Sequence, residues 1–464
     1  MTIADSRAIL KLEVIKIIIK SITIGGFKNL NRTRINLDKI VTLVSPNNFG
    51  KSNLIEAINF GVDFLTASKK LRKSMMSWVK GVPLTPSLAF EDFLFEVEFD
   101  DPSLEQYRYV KYGFSFSWFN DDGSGNKVTN EWLEARKSES TRYSSFIKRN
   151  EGKYRKGYST QAYRKVLLDN SQLAIDIISS IEDIEISNVI RSIQNLRYQV
   201  CSSLDLQDRF TPPPFEFVTD KNEHYISFDD DDVPQALFLL RKNHPEKFIL
   251  FRDAVFTLFP EFTDISLQAF ELKNDPQEQI SFTVTTTAYD NQTIFEKESK
   301  TVPFKVKEEL YRLVITSIYL NQPINASLMS VGTKRIIWLL ANVFISSCNG
   351  ITLLGVEELE TSIHPKQLKK LLEILIESQE NTSIIASSHS PFLIQYLKPS
   401  QVYFGIPDKG TATFRRIADS KSKIVRTASQ NIGVSTGEYL FELMSGDSDD
   451  SRILNQYLED PTYE

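Results

Sequence analysis

The hydrophobic pattern changes period several times along the chain, and each change predicts an element. From 15 to 44 the apolar positions come in short runs, IKIIIKSITI, RTRINL and VTLV, with a turn at Gly25-Gly26, and these predict strands. Ser45 to Phe49 lose any helical period. From Lys51 onward Leu54, Ile55, Ile58, Val62 and Leu65 recur at helical spacing, so one face of a helix packs against a sheet. FLFEVEF (93 to 99) and RYVKYGFSFSWF (108 to 119) alternate as antiparallel strands do, and NDDGSGNK (120 to 127) is a turn cluster. Residues 160 to 200 are helical in pattern, without the sustained apolar heptads of a coiled coil. His244-Pro245 opens a helix whose Phe248, Phe251, Val255, Leu258 and Phe259 form a core stripe, and ISLQAFEL (265 to 272) and QISFTVTTTAY (279 to 289) return to strand. In the last third, MSVGTKRIIWLLANVF (329 to 344) is an amphipathic helix. Two apolar strands follow it, one ending at Glu357-Glu358 and one at His389.

Chemistry enters at VTLVSPNNFGKSNLIEAINF, 41 to 60. A strand, a tight loop ending Gly50-Lys51-Ser52 and a helix together form a phosphate site. Backbone N–H groups point at the β-phosphate, Lys51 reaches the β/γ oxygens, and the Ser52 hydroxyl can ligate Mg²⁺. The first glycine of GxxxxGK[ST] is Ser45 here, and Pro46, Asn47 and Asn48 are the turn formers available in its place. In an α/β sheet, ligands collect at the carboxyl ends of the strands. Of the two carboxylates one can hold Mg²⁺ and the other can orient an attacking water, while His389 is placed to touch a γ-phosphate. Ser330 and Gly332 open a second helix N-terminus, a second anion site that invites a second molecule.

Composition narrows the class. A chain of 464 residues can hold a large core and more than one lobe. Its first residues, MTIADSRAILKLEVIK, are broken by charge and offer no signal-peptide core, and no apolar run has the length of a membrane span, so a cytoplasmic location is expected. Two distant cysteines, Cys201 and Cys348, suggest neither a disulfide framework nor a zinc site. A net charge of −6 argues against a surface basic all over. It leaves room for local basic segments, Lys69 to Lys73 and Arg136 to Lys156. Between 130 and 158 eight positive side chains stand against four negative, with Tyr143, Phe146, Tyr154 and Tyr158 interleaved. That mixture suits nucleic acid, and equally a solvated sheet edge. The four aspartates at 229 to 232 read as a polar turn capping the helix near Pro234 rather than as a metal site.

The order PNNFGKSN, MSVGTKR, LLGVEELETSIHP, SSHSP resembles the ABC-type P-loop ATPase head of the structural-maintenance-of-chromosomes, RecF and overcoming-lysogenization-defect proteins. It is more closely similar to small bacterial AAA15/AAA21-type ATPases, many of them in anti-phage defence systems such as Septu and PARIS. KNHPEKFILFRDAVFTLFPEFTDISL also looks like their middle segment. The resemblance implies an α/β fold with a mixed central sheet, an antiparallel β lobe and inserted helices, and it implies ATP and Mg²⁺. Asn47, Gly50, Lys51, Ser52 and Asn53 would form the Walker A loop. Ser330, Gly332 and Thr333 would be the signature that meets ATP held by an opposite subunit. Glu357, where the wider class usually has Asp, would hold the metal, Glu358 would be the catalytic base and His389 the switch histidine.

From these readings the chain is expected to divide into 1–66 and 311–464 as an ATPase core, with 67–310 as a β lobe and helical insertion. It is expected to form a homodimer, or a higher homo-oligomer of ATP-bridged dimers, and to act through a separate effector protein, a nuclease or toxin. A RecF-like DNA-repair clamp that grips duplex through the two basic segments is the competing expectation. No membrane is involved in either.

Overall fold

A computed structural model describes residues 17–47, 49–78, 80–83, 85–120, 124–150, 153–156, 164–165, 168–178, 184–201, 209–212, 214–217, 232–271, 304–446 and 448–460. The chain forms two compact units, one of Met1–Ser203 with Ser346–Glu464 and one of Leu204–Ile345.

The first ten strands are β1 (Ile18–Gly25), β2 (Thr33–Asn36), β3 (Ile40–Val44), β4 (Phe93–Asp100), β5 (Tyr109–Ser117), β6 (Lys127–Arg136), β7 (Ser144–Asn150), β8 (Lys153–Lys156), β9 (Arg164–Lys165) and β10 (Tyr198–Cys201). Eight of them make an antiparallel sheet in the order β2-β1-β4-β5-β6-β7-β8-β9. Its inner face is aromatic because β4 and β5 alternate: Phe93, Phe95, Phe99, Phe114 and Phe116 are all fully buried. They meet helix α1 (Lys51–Thr66), whose Phe64 stacks on Phe114 and Phe116 with ring centroids 4.9 Å apart. Gly61 permits the approach, since a Cβ there would lie 2.1 Å from Phe95. The basic segment Arg136 to Lys156 thus falls on the far strands of a sheet, β6 to β8, a period that the sequence reading did not assign.

The second unit holds β11 (Phe215–Phe217), β12 (Phe262–Glu271), β13 (Phe304–Val306), β14 (Glu309–Ser317) and β15 (Ile324–Asn325) with the helices Val233–Asn243 and Pro245–Leu258. The helix Val331–Cys348 begins in it. The stripe Phe248, Phe251, Val255, Leu258, Phe259 is buried as its spacing requires. Asp232 caps the first of these helices, accepting from the Gln235 amide at 3.0 Å and pairing with Lys307 at 2.9 Å. Residues 229–231 and the segment 279–289 lie outside the described residues, as do Asn48 and residues 1–16.

Back in the first unit, β16 (Leu353–Val356), β17 (Ser383–Ser388), β18 (Val402–Asp408) and β19 (Thr411–Arg416) complete a six-stranded sheet in the order β10-β16-β17-β3-β18-β19. Every neighbouring pair in it is parallel except β18 with β19. One continuous core joins Leu54, Ile55 and Ile58 of α1 to Leu353 and Ile385 of this sheet and to Ile22 and Phe95 of the antiparallel one, so α1 serves both. The expectation of helix throughout 160 to 200 is corrected. Short helices occupy Ile175–Ile178 and Ile184–Gln194, but Arg164–Lys165 is strand and Tyr198–Cys201 pairs in register with Leu353 to Val356. Pairing with a buried neighbour overrides local helical periodicity there. Among the described residues no helix is long and apolar enough to cross a membrane.

The loop after α1 is fixed by a buried cation. Arg72, 2% exposed, donates to the carbonyls of Phe64 and Leu65 at 2.8 Å each and to the Asp176 carboxylate. Replacing it by alanine removes the donor that two carbonyls and the Asp176 carboxylate share. Arg72→Ala is therefore expected to lower unfolding free energy by about 3 kcal/mol or more in chemical denaturation. Lys73→Ala, on the exposed side of the same helix, should change it by less than about 0.5 kcal/mol.

Candidate phosphate site

In the parallel sheet β17 lies between β3 and β16, and its Ser388 pairs with Val44 while its Ala386 pairs with Val356. Parallel pairing brings the carboxyl ends of all three strands to one edge. Ser45, Glu357 and His389 are the residues that leave those ends.

From β3 the chain turns through residues 45–50 into α1. Gly50 sits just before the helix at φ 93°, a conformation glycine adopts without strain, and a Cβ there would be pressed to 3.1–3.3 Å against Ala412, Asn29 and Leu30. Ser45 stands in the place of a glycine and is fully buried. It needs no left-handed backbone, and its side chain is received by Gly405 of β18, where a Cβ would lie 2.7 Å from that of Ser45. The missing glycine has thus moved to the neighbouring strand. Lys51 curls back over this loop, its Nζ donating to the Ser45 carbonyl at 2.8 Å and to Ser45 Oγ and the Pro46 carbonyl at 3.3 Å. Burial pushes its ammonium down to about 8, against the opposing pull of the Glu358 and Glu360 carboxylates. A cation held over neutral carbonyls and partly stripped of water is ready for an anion.

The carboxylates sit on a turn clamped to β17. The Glu357 amide donates to the Cys201 carbonyl at 3.2 Å, the Glu358 amide to Ser387 Oγ at 3.0 Å and the Leu359 amide to the Ser387 carbonyl at 3.2 Å. Glu358 is held at φ 46°, unusual for a residue with a Cβ, and its Oε2 accepts from Thr361 Oγ1 at 3.0 Å. Its side chain is exposed at the edge, while that of Glu357 is half-buried. The sequence reading passed over Glu360. Its Oε1 accepts from the His389 amide at 2.7 Å, joining the carboxylate turn to the end of β17. The signal for it was present as the third glutamate of Glu357-Glu358-Leu359-Glu360. His389 is half-buried, and burial together with the nearby Lys51 charge lowers its imidazole below the usual value, so the ring is neutral at pH 7.

The remaining candidates fall in three places. Ser52 is exposed in the first turn of α1, and Asn47 is exposed on the loop. Asn53 does not face the loop alone, for its amide donates to Asn29 Oδ1 at 2.8 Å and ties α1 to the β1–β2 connection. Ser330, Gly332 and Thr333 belong to the second unit. There Ser330 Oγ accepts from the Thr333 amide at 3.2 Å and shares a hydrogen bond with Thr333 Oγ1 at 2.8 Å, capping the helix Val331–Cys348. Among the described residues no three acidic, histidine or cysteine side chains converge on a point that could hold a metal alone. The two oxygen donors named for an ion, Ser52 and Glu357, fit Mg²⁺, which keeps most of its ligands as water and phosphate oxygens and needs only one or two from protein.

A parallel sheet whose first strand turns through a glycine into a helix opened by a buried lysine, with acidic residues at a nearby strand end, defines a P-loop nucleotide-binding α/β protein. The chain belongs to the family described as "AAA domain, putative AbiEii toxin, Type IV TA system", which matches residues 41–395. No curated protein matches it. Among solved structures it is similar to an SmcHead bound to the C-winged helix domain of ScpA (12% identity, 87% of this chain and 99% of that one, TM-score 0.48). It is also similar to the SMC head domain from Thermotoga maritima (10%, 86% and 99%, 0.42). A third is an Smc head domain with an extended coiled coil bound to the C-terminal domain of ScpA, derived from Pyrococcus furiosus (12%, 89% and 100%, 0.44).

Two outcomes follow from this geometry. Below about pH 8 Lys51 is charged, and a bound polyphosphate raises its proton affinity further, so the complex holds more protons than the free protein above that pH. Nucleotide affinity should therefore fall as pH rises through 8. Calorimetry in buffers of different ionisation enthalpy should record proton uptake near pH 8.5 that Lys51→Ala removes. Gly50→Ala forces a Cβ into a left-handed backbone and a crowded corner; it should cost about 1–3 kcal/mol of stability and weaken nucleotide binding, read by thermal shift with and without Mg·ATP.

Proposed function

We propose that this chain is an ATPase of ABC type whose ATP site is completed by a second copy, and that the cycle of binding and hydrolysis switches its assembly. The observation that carries the reading is the meeting of Lys51, Glu358 and His389 at one edge of a parallel sheet, tied together by Glu360 and Ser387.

In this reading the amides at the start of α1 and the Lys51 ammonium bind the β- and γ-phosphates. Ser52 and Glu357 would hold Mg²⁺, which when bound supplies charge neutralisation on the phosphate oxygens. Glu358 orients a water in line with the γ-phosphorus and takes its proton as the new P–O bond forms and the bond to the ADP oxygen breaks. Neutral His389 donates its N–H to a γ-phosphate oxygen. Ser330, Gly332 and Thr333 of the opposite subunit supply helix-terminal amides to the same phosphate. Glu357 stands where the wider class usually has Asp, and its carboxylate would hold the ion from a side chain one methylene longer.

Released phosphate removes the bridge between subunits, so binding energy drives assembly rather than a second chemical step. The order of motifs that resembles small ATPases of anti-phage defence is what supports a regulatory ATPase working through a separate effector; the family description itself speaks only of a toxin–antitoxin system. Of the basic segments that a DNA clamp would use, Arg72 and Arg149 are buried in internal contacts and Lys69 pairs with Asp169, whereas Lys70, Lys73, Lys137 and Arg142 are exposed.

Light-scattering mass tests the shared site. Glu358→Gln keeps binding and removes the base, so Mg·ATP should double its mass, whereas Lys51→Ala should stay unchanged by nucleotide. Ser330→Arg in the Glu358→Gln background should abolish the doubling. Doubling that survives Ser330→Arg would contradict the composite site.

A further inference from the structure

Glu360 is a carboxylate on the turn after β16 that no step above uses. Its Oε1 accepts from the backbone amide of His389 at 2.7 Å, across 29 residues of sequence, and its Oε2 is buried with no hydrogen-bond partner among the described residues. Burying a carboxylate oxygen unpaired is unfavourable, and such groups persist where surrounding structure or function holds them. The neighbours explain what holds it. Its carboxylate accepts from the His389 amide at the end of β17, and its charge acts on the His389 imidazole and on Lys51 at the start of α1. Glu358 is only two residues away on the same turn, and its left-handed backbone fixes where that turn leads.

We propose that Glu360 is the positioning residue of the hydrolytic site: through its bond to the His389 amide it locks the carboxylate turn to the end of β17, so that Glu358 and His389 address the same γ-phosphate. The inference rests on the ATPase reading above and deepens it. It predicts a separation between binding and turnover. The phosphate loop stands on β3 and α1 and does not depend on the Glu360 bond, so substrate binding persists when that bond is lost. The geometry between base and histidine does depend on it, and a displacement of about 1 Å at such a site costs turnover far more than affinity.

Three proteins decide the matter: wild type, Glu360→Gln, which keeps an acceptor for the His389 amide, and Glu360→Ala, which does not. Steady-state phosphate release should show kcat for Glu360→Ala lower by at least about tenfold, with KM and the dissociation constant of a fluorescent ATP analogue within about twofold of wild type. Glu360→Gln should recover most of the lost kcat. If kcat in both variants equals wild type, or if affinity falls in step with kcat, Glu360 does not position the reaction.

A second readout holds even where a variant is less stable, and it does not require turnover. In histidine-labelled protein the His389 imidazole faces Lys51 from α1 and Glu358 and Glu360 from the turn. Glu360→Gln removes a negative neighbour and should move its NMR titration to lower pH, and Glu360→Ala should shift the His389 amide proton upfield. An unmoved titration and an unmoved amide overturn the inference. Absence of turnover in wild type itself would instead strike the ATPase reading, leaving the two NMR shifts to decide the role of Glu360.

Discussion

Parallel pairing of β16, β17 and β3 is the constraint on which everything at the site depends. Three stretches, one of them some 300 residues from the other two, ending at Ser45, Glu357 and His389, are brought to one edge because their backbones run the same way and in register. None of them has any local reason to be there. The register is exacting, since a slip of one residue would turn buried Leu43, Leu353 and Ile385 away from the core that α1 covers. Backbone hydrogen bonds and apolar burial therefore set the positions of charged groups that could not have found one another through their own attraction.

On that frame the electrostatics are held away from their relaxed state. Lys51 is kept partly dehydrated over carbonyl oxygens, His389 is kept neutral, and Glu358 is kept in a left-handed backbone. Each departure is unfavourable alone and is sustained by the surrounding packing. Such an arrangement gains most from a ligand that brings negative charge to the loop, for it relieves the lysine and the histidine together. The antiparallel sheet contributes by a different route: its aromatic face clamps the far side of α1, and Arg72 ties the end of the same helix to Asp176. The helix that presents the phosphate loop is thus anchored along its length.

How much of this could be read beforehand differs from element to element. The strand Ile40–Val44, the loop and α1 were legible because β-branched burial, a glycine and a helical stripe followed one another within 25 residues. So were β4, β5 and the helix Pro245–Leu258, whose periods are clean. The strand Tyr198–Cys201 was not, because its only reason to be extended is a partner some 155 residues away. The strands β6 to β8 were hidden by charge, which marked them as a surface before it marked them as strands. At the site, single residues announced by motif were placed well, but relations between residues were not. Nothing in the sequence reveals that Gly405 makes room for Ser45, or that Glu360 reaches the His389 amide, since both depend on which strands are neighbours.

The central claim is that this sheet edge hydrolyses ATP with Glu358 as its base. Its most direct test is single-turnover phosphate release from ATP, with nucleotide binding measured on the same samples. The account predicts release by the wild-type protein, and a loss of about a hundredfold or more in Glu358→Gln with binding intact. Release by Glu358→Gln at the wild-type rate would contradict it.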